Sequence, residues 1–245
     1  MTGDRAATLE ILRDGSIEVL GRIMGSTNNA LFVRVTRVCD EPAPPQILDA
    51  VYKPTIGERP LDDFPDGTLT RREVAAWHVS EAMGWDIVPP TILREGPFGE
   101  GMLQAFIEPD DDIDVVQLVI EGDGRLRRMA TFDAVVNNTD RKGGHILPVD
   151  AGRLVHGVDH GVCFSTVPKL RTVLWAWRGE AFAADETAGL ERVREALHGE
   201  LGTTLRSLLR RSEVTATIRR VDGLLVSGRF PMPSPTWPAV PWPPF

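Results

Sequence analysis

Between Phe132 and Asp150 the chain reads FDAVVNNTDRKGGHILPVD, an apolar run that ends in two asparagines, an Asp-Arg pair and two glycines before a second apolar run leads to an acid. A plain turn would need only the glycines, so the added hydrogen-bonding groups point to a loop with a task. Asp140 has short polar neighbours and a turn after it, where a carboxylate can stand clear of the preceding helix and meet a substrate hydroxyl as base or orienter. Further on, LVHGVDHGVCF places Asp159 close to a glycine, where a carboxylate can reach Mg²⁺. The plainer reading makes NNTDRKGG a turn with Asp140 and Arg141 as surface charges, and it stands beside the first.

Upstream residues offer complementary chemistry. Lys53, at the end of VYKP, can hold phosphate oxygens as a point charge, or simply be solvated. Only Lys53, Lys142 and Lys169 among the 27 basic residues are lysines. Where arginine is otherwise preferred, a lysine can mark a place that needs a compact ammonium, although mutational bias alone can set the ratio. Glu73 is available to pair with Lys53; equally, Thr70-Arg71-Arg72-Glu73 fits a capping box, in which Glu73 would only satisfy a helix N-terminus. The cluster GSTNNA, with Ser26 and Thr27, can fold over phosphates and present backbone N–H groups, or be an ordinary hairpin loop. In GMLQAFIEP, the backbone at Phe106 and Ile107 could hydrogen-bond an adenine ring.

These residues need elements to position them. SIEVLGRIM and ALFVRVTRV are β-rich segments on either side of the GSTNN turn cluster, which predicts a hairpin. ILDAVYKP makes a third strand stopped by Pro54. In TRREVAAWHVSEAMG, the spacing of Ala75, Val79, Ala82 and Met83 predicts an amphipathic helix closed by Gly84. DIVPPTILRE and GEGMLQAFIEP supply two more strands, so a mostly antiparallel sheet with one helix is expected. Beyond Pro109 the pattern turns helical. VVQLVIEGDGRLRRMATFDAVVNN holds one or two helices, and ILPVD with RLVHGV makes a hairpin. Asp185 caps a helix striped by Leu190, Val193, Leu197 and Leu201, and Ser212 caps another striped by Val214, Ile218, Val221 and Leu225. The end, FPMPSPTWPAVPWPPF, is too proline-dense for helix or sheet and should run as polyproline II, with its tryptophans packed back on the domain.

Bulk properties exclude other classes. At 245 residues and 42% hydrophobic composition, the chain can bury a sizeable core. A net charge of −8 argues against wholesale nucleic-acid or anionic-membrane binding. The first residues lack a signal-peptide pattern and no stretch is apolar enough to cross a bilayer, which predicts a cytoplasmic protein. Cys39 and Cys163, far apart and without CxxC partners, suggest neither a disulfide framework nor a zinc site.

A β-rich half joined to a helical half is the layout of a kinase. The expected fold class is α+β, a two-lobed protein-kinase-like fold: residues 1–107 as an N-lobe, 108–230 as a mainly helical C-lobe, and 231–245 as a Pro-rich tail. GSTNNA, Lys53, Glu73, GMLQAFIEP and the Asp-Arg stretch with its downstream VDHGV occur in the order such a fold needs, with His145 at the place of a second metal ligand. On VYKP, REVAAWHVSEAMGWDIVPPT, LQAFIE, FDAVVNNTDRKGGHIL and VDHGVCF, the chain resembles the phosphatidylinositol 3- and 4-kinase group of atypical kinases, and most of all the type II phosphatidylinositol 4-kinases.

The resemblance implies Lys53 on the phosphates of ATP, Glu73 as its partner, Asp140 as the catalytic carboxylate, and Asp159 as ligand to Mg²⁺ or Mn²⁺. It also implies a hydroxyl-bearing acceptor: a phosphoinositide, a small alcohol or a protein. Two departures matter. The family has asparagine where this chain has His145, and imidazole suits Mg²⁺ poorly. The palmitoylated cysteine cluster of the eukaryotic type II enzymes is missing, so membrane contact is expected to be peripheral at most. Lys169, Arg171 and Arg178 with Trp175 and Trp177 could seat an inositol phosphate headgroup, or belong to a packed helix with core tryptophans. A nucleotide-binding pseudokinase that regulates a partner is the alternative function.

Overall fold

The computed structural model describes residues 2–23, 29–40 and 42–245. They form two compact units, residues 1–74 with 89–106 and residues 75–88 with 107–245. The GSTNNA reading falls largely outside the described residues, Ser26 and Thr27 included.

The first unit is a five-stranded antiparallel sheet. Strands β1 (Ser16–Arg22), β2 (Leu31–Arg37), β3 (Gln46–Pro54), β4 (Thr91–Gly96) and β5 (Gly99–Ala105) lie in the order β1-β2-β3-β5-β4. Alternation drives it: Val33, Val35, Ala50, Tyr52, Leu103 and Ala105 point into one core. An unanticipated helix, α1 (Thr2–Asp14), completes that core with Ile11 and Leu12. These two anchors are adjacent rather than spaced by three or four, so no amphipathic stripe shows in the sequence. Arg94 secures the helix end, its Nη1 donating to the carbonyls of Leu12 at 2.7 Å and Gly15 at 2.9 Å.

Helix α2 (Leu69–Met83) starts in the first unit and ends in the second. Ala75, Val79 and Met83 are fully buried, and Gly84 closes the helix at φ 71°. Its N-terminus is capped by Glu58, whose carboxylate accepts from the amides of Leu69 at 3.0 Å and Thr70 at 2.8 Å. A carboxylate suits the positive end of the helix dipole, so Glu73 is not needed as a cap.

The second unit holds α3 (Val115–Glu121), α4 (Arg127–Val136), α5 (Ala184–His198), α6 (Glu200–Leu208) and α7 (Arg211–Ser227). It also carries the hairpin β6 (Ile146–Val149) with β7 (Leu154–Gly157). Leu190, Val193, Leu197 and Leu201 are buried as their stripe requires. The caps expected of Asp185 and Ser212 do not form. Glu186 and Glu213 reach back instead to the amides of Ala183 at 2.6 Å and Arg210 at 2.8 Å, and Asp185 pairs with Arg128. The carboxylates at the third helical position can span that gap, so each helix starts one or two residues earlier. Residues 169–180 form no helix; Trp177 is core, against Arg127. Of the tail tryptophans, Trp237 lies under the Lys169 ammonium, whereas Trp242 is 85% exposed and does not pack back.

Candidate active site

In the first unit, Lys53 sits in β3 opposite Met102 of β5, which directs its side chain along the pleat toward the start of α2. Its Nζ lies 2.6 Å from Glu73 Oε1, with side chains 14% and 2% exposed. With Glu58 holding the helix end, Glu73 meets Lys53 and does not serve as the cap. Phe106 donates its backbone N–H to Asp49 at 3.0 Å, and its ring meets Phe32 edge-on. Of the backbone groups expected to meet adenine, the Phe106 N–H is therefore already engaged within the sheet.

In the second unit, the Asp-Arg loop is explained by a network missed in the sequence. Asp133 and Arg141 are fully buried and paired, at 2.9 Å from Nη2 and 3.0 Å from Nε. Asp133 also accepts from Asn138 Nδ2 at 3.0 Å and Thr172 Oγ1 at 3.3 Å. Arg141 Nη1 donates to the carbonyls of His145 and Val158, 3.1 Å each, and Nη2 lies 2.6 Å from His160 Nε2. One guanidinium thus ties the loop after α4 to the segment that carries Asp159. Arg141 is no surface charge. The asparagines complete the brace. Asn137 ends α4 at φ 52° and holds the carbonyls of Ser165 and Val167, while Asn138 Oδ1 accepts from the Asp140 amide at 3.0 Å. A sequence signal existed: Asp133 is the one charged residue in the run Met129 to Val136, and a carboxylate buried there must have a partner.

On this brace stand the three candidate residues. Asp140 is half-buried and pairs with Lys142 Nζ at 3.1 Å. His145 Nε2 lies 3.3 Å from Asp159 Oδ2, the carboxylate side chain being 46% exposed. Asp159 holds φ at 61°, a left-handed conformation that aspartate tolerates at some cost and that clusters at functional sites. Burial pushes the His145 imidazole below its ordinary value; the Asp159 and Asp140 carboxylates oppose the shift, and the Arg141 and Lys142 charges add to it. A neutral imidazole beside a carboxylate is a usable donor pair. Its Nδ1 is buried without a hydrogen-bond partner, so it lacks the outer partner that usually orients a metal-binding histidine. Among the described residues no cluster of three or more His, Cys, Asp or Glu could hold a metal. Two protein donors still fit an ion that is mostly coordinated by phosphate and water.

No family model matches the chain. It is 39% identical over 270 residues to Protein Rv2133c of Mycobacterium tuberculosis, covering 96% of this chain and 94% of that protein. The chain belongs to the Rv2133c family. Among solved structures it is similar to the Helicobacter pylori proinflammatory kinase CtkA, with a TM-score of 0.53 and 12% identity, over 88% of this chain and 93% of that one. At that identity the likeness shows the fold alone. This Rv2133c-family chain has an α+β kinase-like fold, an N-terminal antiparallel sheet followed by a helical region. No helix among the described residues is long and apolar enough to cross a membrane.

Proposed function

We propose that the protein is an ATP-dependent phosphotransferase that moves the γ-phosphoryl group to a hydroxyl acceptor. The observation that carries this reading is the Lys53–Glu73 pair, 2.6 Å long and largely buried. A lysine held this way is preorganised to meet phosphate oxygens as a point charge, and phosphoryl transfer depends mostly on positioning and electrostatic stabilisation. Asp140 takes the acceptor hydroxyl's proton or orients it. Asp159, with His145, would hold Mg²⁺ or Mn²⁺, which neutralises charge on the phosphates. Ser26 and Thr27 are proposed to cover the phosphates, and the backbone at Phe106 and Ile107 to meet adenine. The acceptor class follows the resemblance to type II phosphatidylinositol 4-kinases: a phosphoinositide, another small alcohol or a protein hydroxyl, with peripheral membrane contact at most, in the cytoplasm.

The test is Lys53→Met with labelled ATP. The expected outcome is about tenfold or greater loss of turnover or nucleotide affinity with the fold retained. Collapse of thermal stability, with ATP-induced stabilisation of the remaining folded protein unchanged, would make Lys53 structural. A second reading, a pseudokinase that binds nucleotide and regulates a partner, draws on the unpartnered His145 Nδ1. It requires ATP binding without product from any acceptor.

A further inference from the structure

The Pro-rich tail returns to the loop that carries Asp140. The Ala239 carbonyl accepts from the Thr172 amide at 3.0 Å and from Trp175 Nε1 at 2.8 Å. Trp237 lies under Lys169, 5.5 Å from Nζ to ring centroid. Thr172 is itself bridged to Arg141: the Arg141 amide donates to the Arg171 carbonyl and the Val173 amide to the Arg141 carbonyl, 3.1 Å each. Farther along, the Pro244 carbonyl accepts from the Gly143 amide at 2.8 Å. That amide opens the short 3-10 turn Gly143–His145, where a turn's own geometry leaves a donor without a partner.

Gly143 shows that the contact is close-fitting. A Cβ at this position would lie 2.1 Å from Phe245 Cδ1 and 2.7 Å from Cε1, while its neighbour Gly144 faces open space. The backbone of Gly143 is not in the left-handed region, so glycine stands there for room, to admit the Phe245 ring three residues after Asp140. Prolines at 231, 233, 235, 238, 241, 243 and 244 restrict the free chain, which lowers the entropy lost when a strap without helix or strand is ordered.

We propose that residues 237–245 are a clamp that positions the catalytic loop, with Pro244 and Phe245 as its positioning residues. The clamp rests on the phosphotransferase reading for its catalytic meaning. Among the described residues its hydrogen bonds and ring contacts reach Gly143, Lys169, Thr172 and Trp175, and Gly143 lies on the loop that carries Asp140 and His145.

The test compares the full chain with Gly143→Ala, Phe245→Ala, the double variant and Phe245→Leu. Amide hydrogen exchange over residues 138–146 and the split of kcat from KM for ATP are both measured. Gly143→Ala should speed exchange of the loop about tenfold without speeding that of α5 and α7. It should lower kcat about tenfold with KM for ATP within about twofold, because misplaced groups lose orientation rather than nucleotide binding. Adding Phe245→Ala makes room for the new methyl and should recover part of the loss, and Phe245→Leu should recover roughly half of what Phe245→Ala loses. Unchanged loop exchange in Gly143→Ala and in Phe245→Ala overturns the clamp. So does a rise in kcat, which would mean autoinhibition, or a loss of stability with kcat of the folded protein intact. A wild-type protein with no turnover overturns the phosphotransferase reading instead, and loop exchange then decides the clamp alone.

Discussion

Arg141 is fully buried, and its guanidinium reaches Asp133, two backbone carbonyls and His160. A buried ion pair contributes little net stability over an apolar pair of equal shape, but removing one partner strands a charge. Arg141→Met should therefore cost about 3–5 kcal/mol in urea unfolding, and Asp133→Leu a similar amount. The double variant should cost well under their sum, because each single change already breaks the same network. Strict additivity would contradict the network. At His145 the question is chemical rather than structural. If the imidazole is a ligand, His145→Asn substitutes an amide oxygen and should raise Mg²⁺-supported turnover relative to Mn²⁺, since Mg²⁺ prefers oxygen. An unchanged ratio would leave His145 as a hydrogen-bond partner of Asp159 only.

At the scale of elements, α2 resolves the two roles that the sequence left open for Glu73. Glu58 caps the helix and Glu73 meets Lys53, so their variants should fail differently. Glu58→Ala should lower stability by about 0.5–2 kcal/mol with kcat little changed. Glu73→Ala should lower turnover by more than its stability loss explains, and the reverse ordering would exchange their roles. The strands, the hairpin β6–β7 and α2 were legible because alternation, helical spacing and Gly84 all agree locally. Glu58 was not, because it caps from 11 residues away across a proline-containing loop. Helix α1 hid behind two adjacent anchors, and the starts of α5 and α7 shifted because glutamates three residues in outreach Asp185 and Ser212. Of the candidate site, the exposed or half-buried carboxylates Asp140 and Asp159 were readable from turn chemistry. Their brace was only half legible, since Asp133 stands out as the one acid in its run but nothing in the sequence names Arg141 as its partner.

On the scale of the whole molecule, two histidines in the second unit, His78 and His145, contribute to the acid side of the stability profile. Burial pushes the imidazoles of both His78 and His145 below their ordinary value. In the unfolded chain each regains a pKa of about 6.5. Below that value the unfolded state binds protons that the folded state refuses, so stability is full above it and declines as pH falls through it, by up to about 1.4 kcal/mol per pH unit for each histidine. Carboxylates held low do not confuse this window: Arg125 keeps Asp123 down at about 2, by side-chain and then backbone hydrogen bonds, so that group titrates far below it. Urea unfolding between about pH 7 and 5 should show the decline, and the double variant His78→Gln with His145→Gln should flatten most of it. A slope that survives both substitutions would assign the acid sensitivity to other groups. A slope lost with His145→Gln alone would place it next to Asp159, where the same protonation also removes a neutral donor from the candidate metal pair, so turnover and stability should then fall together.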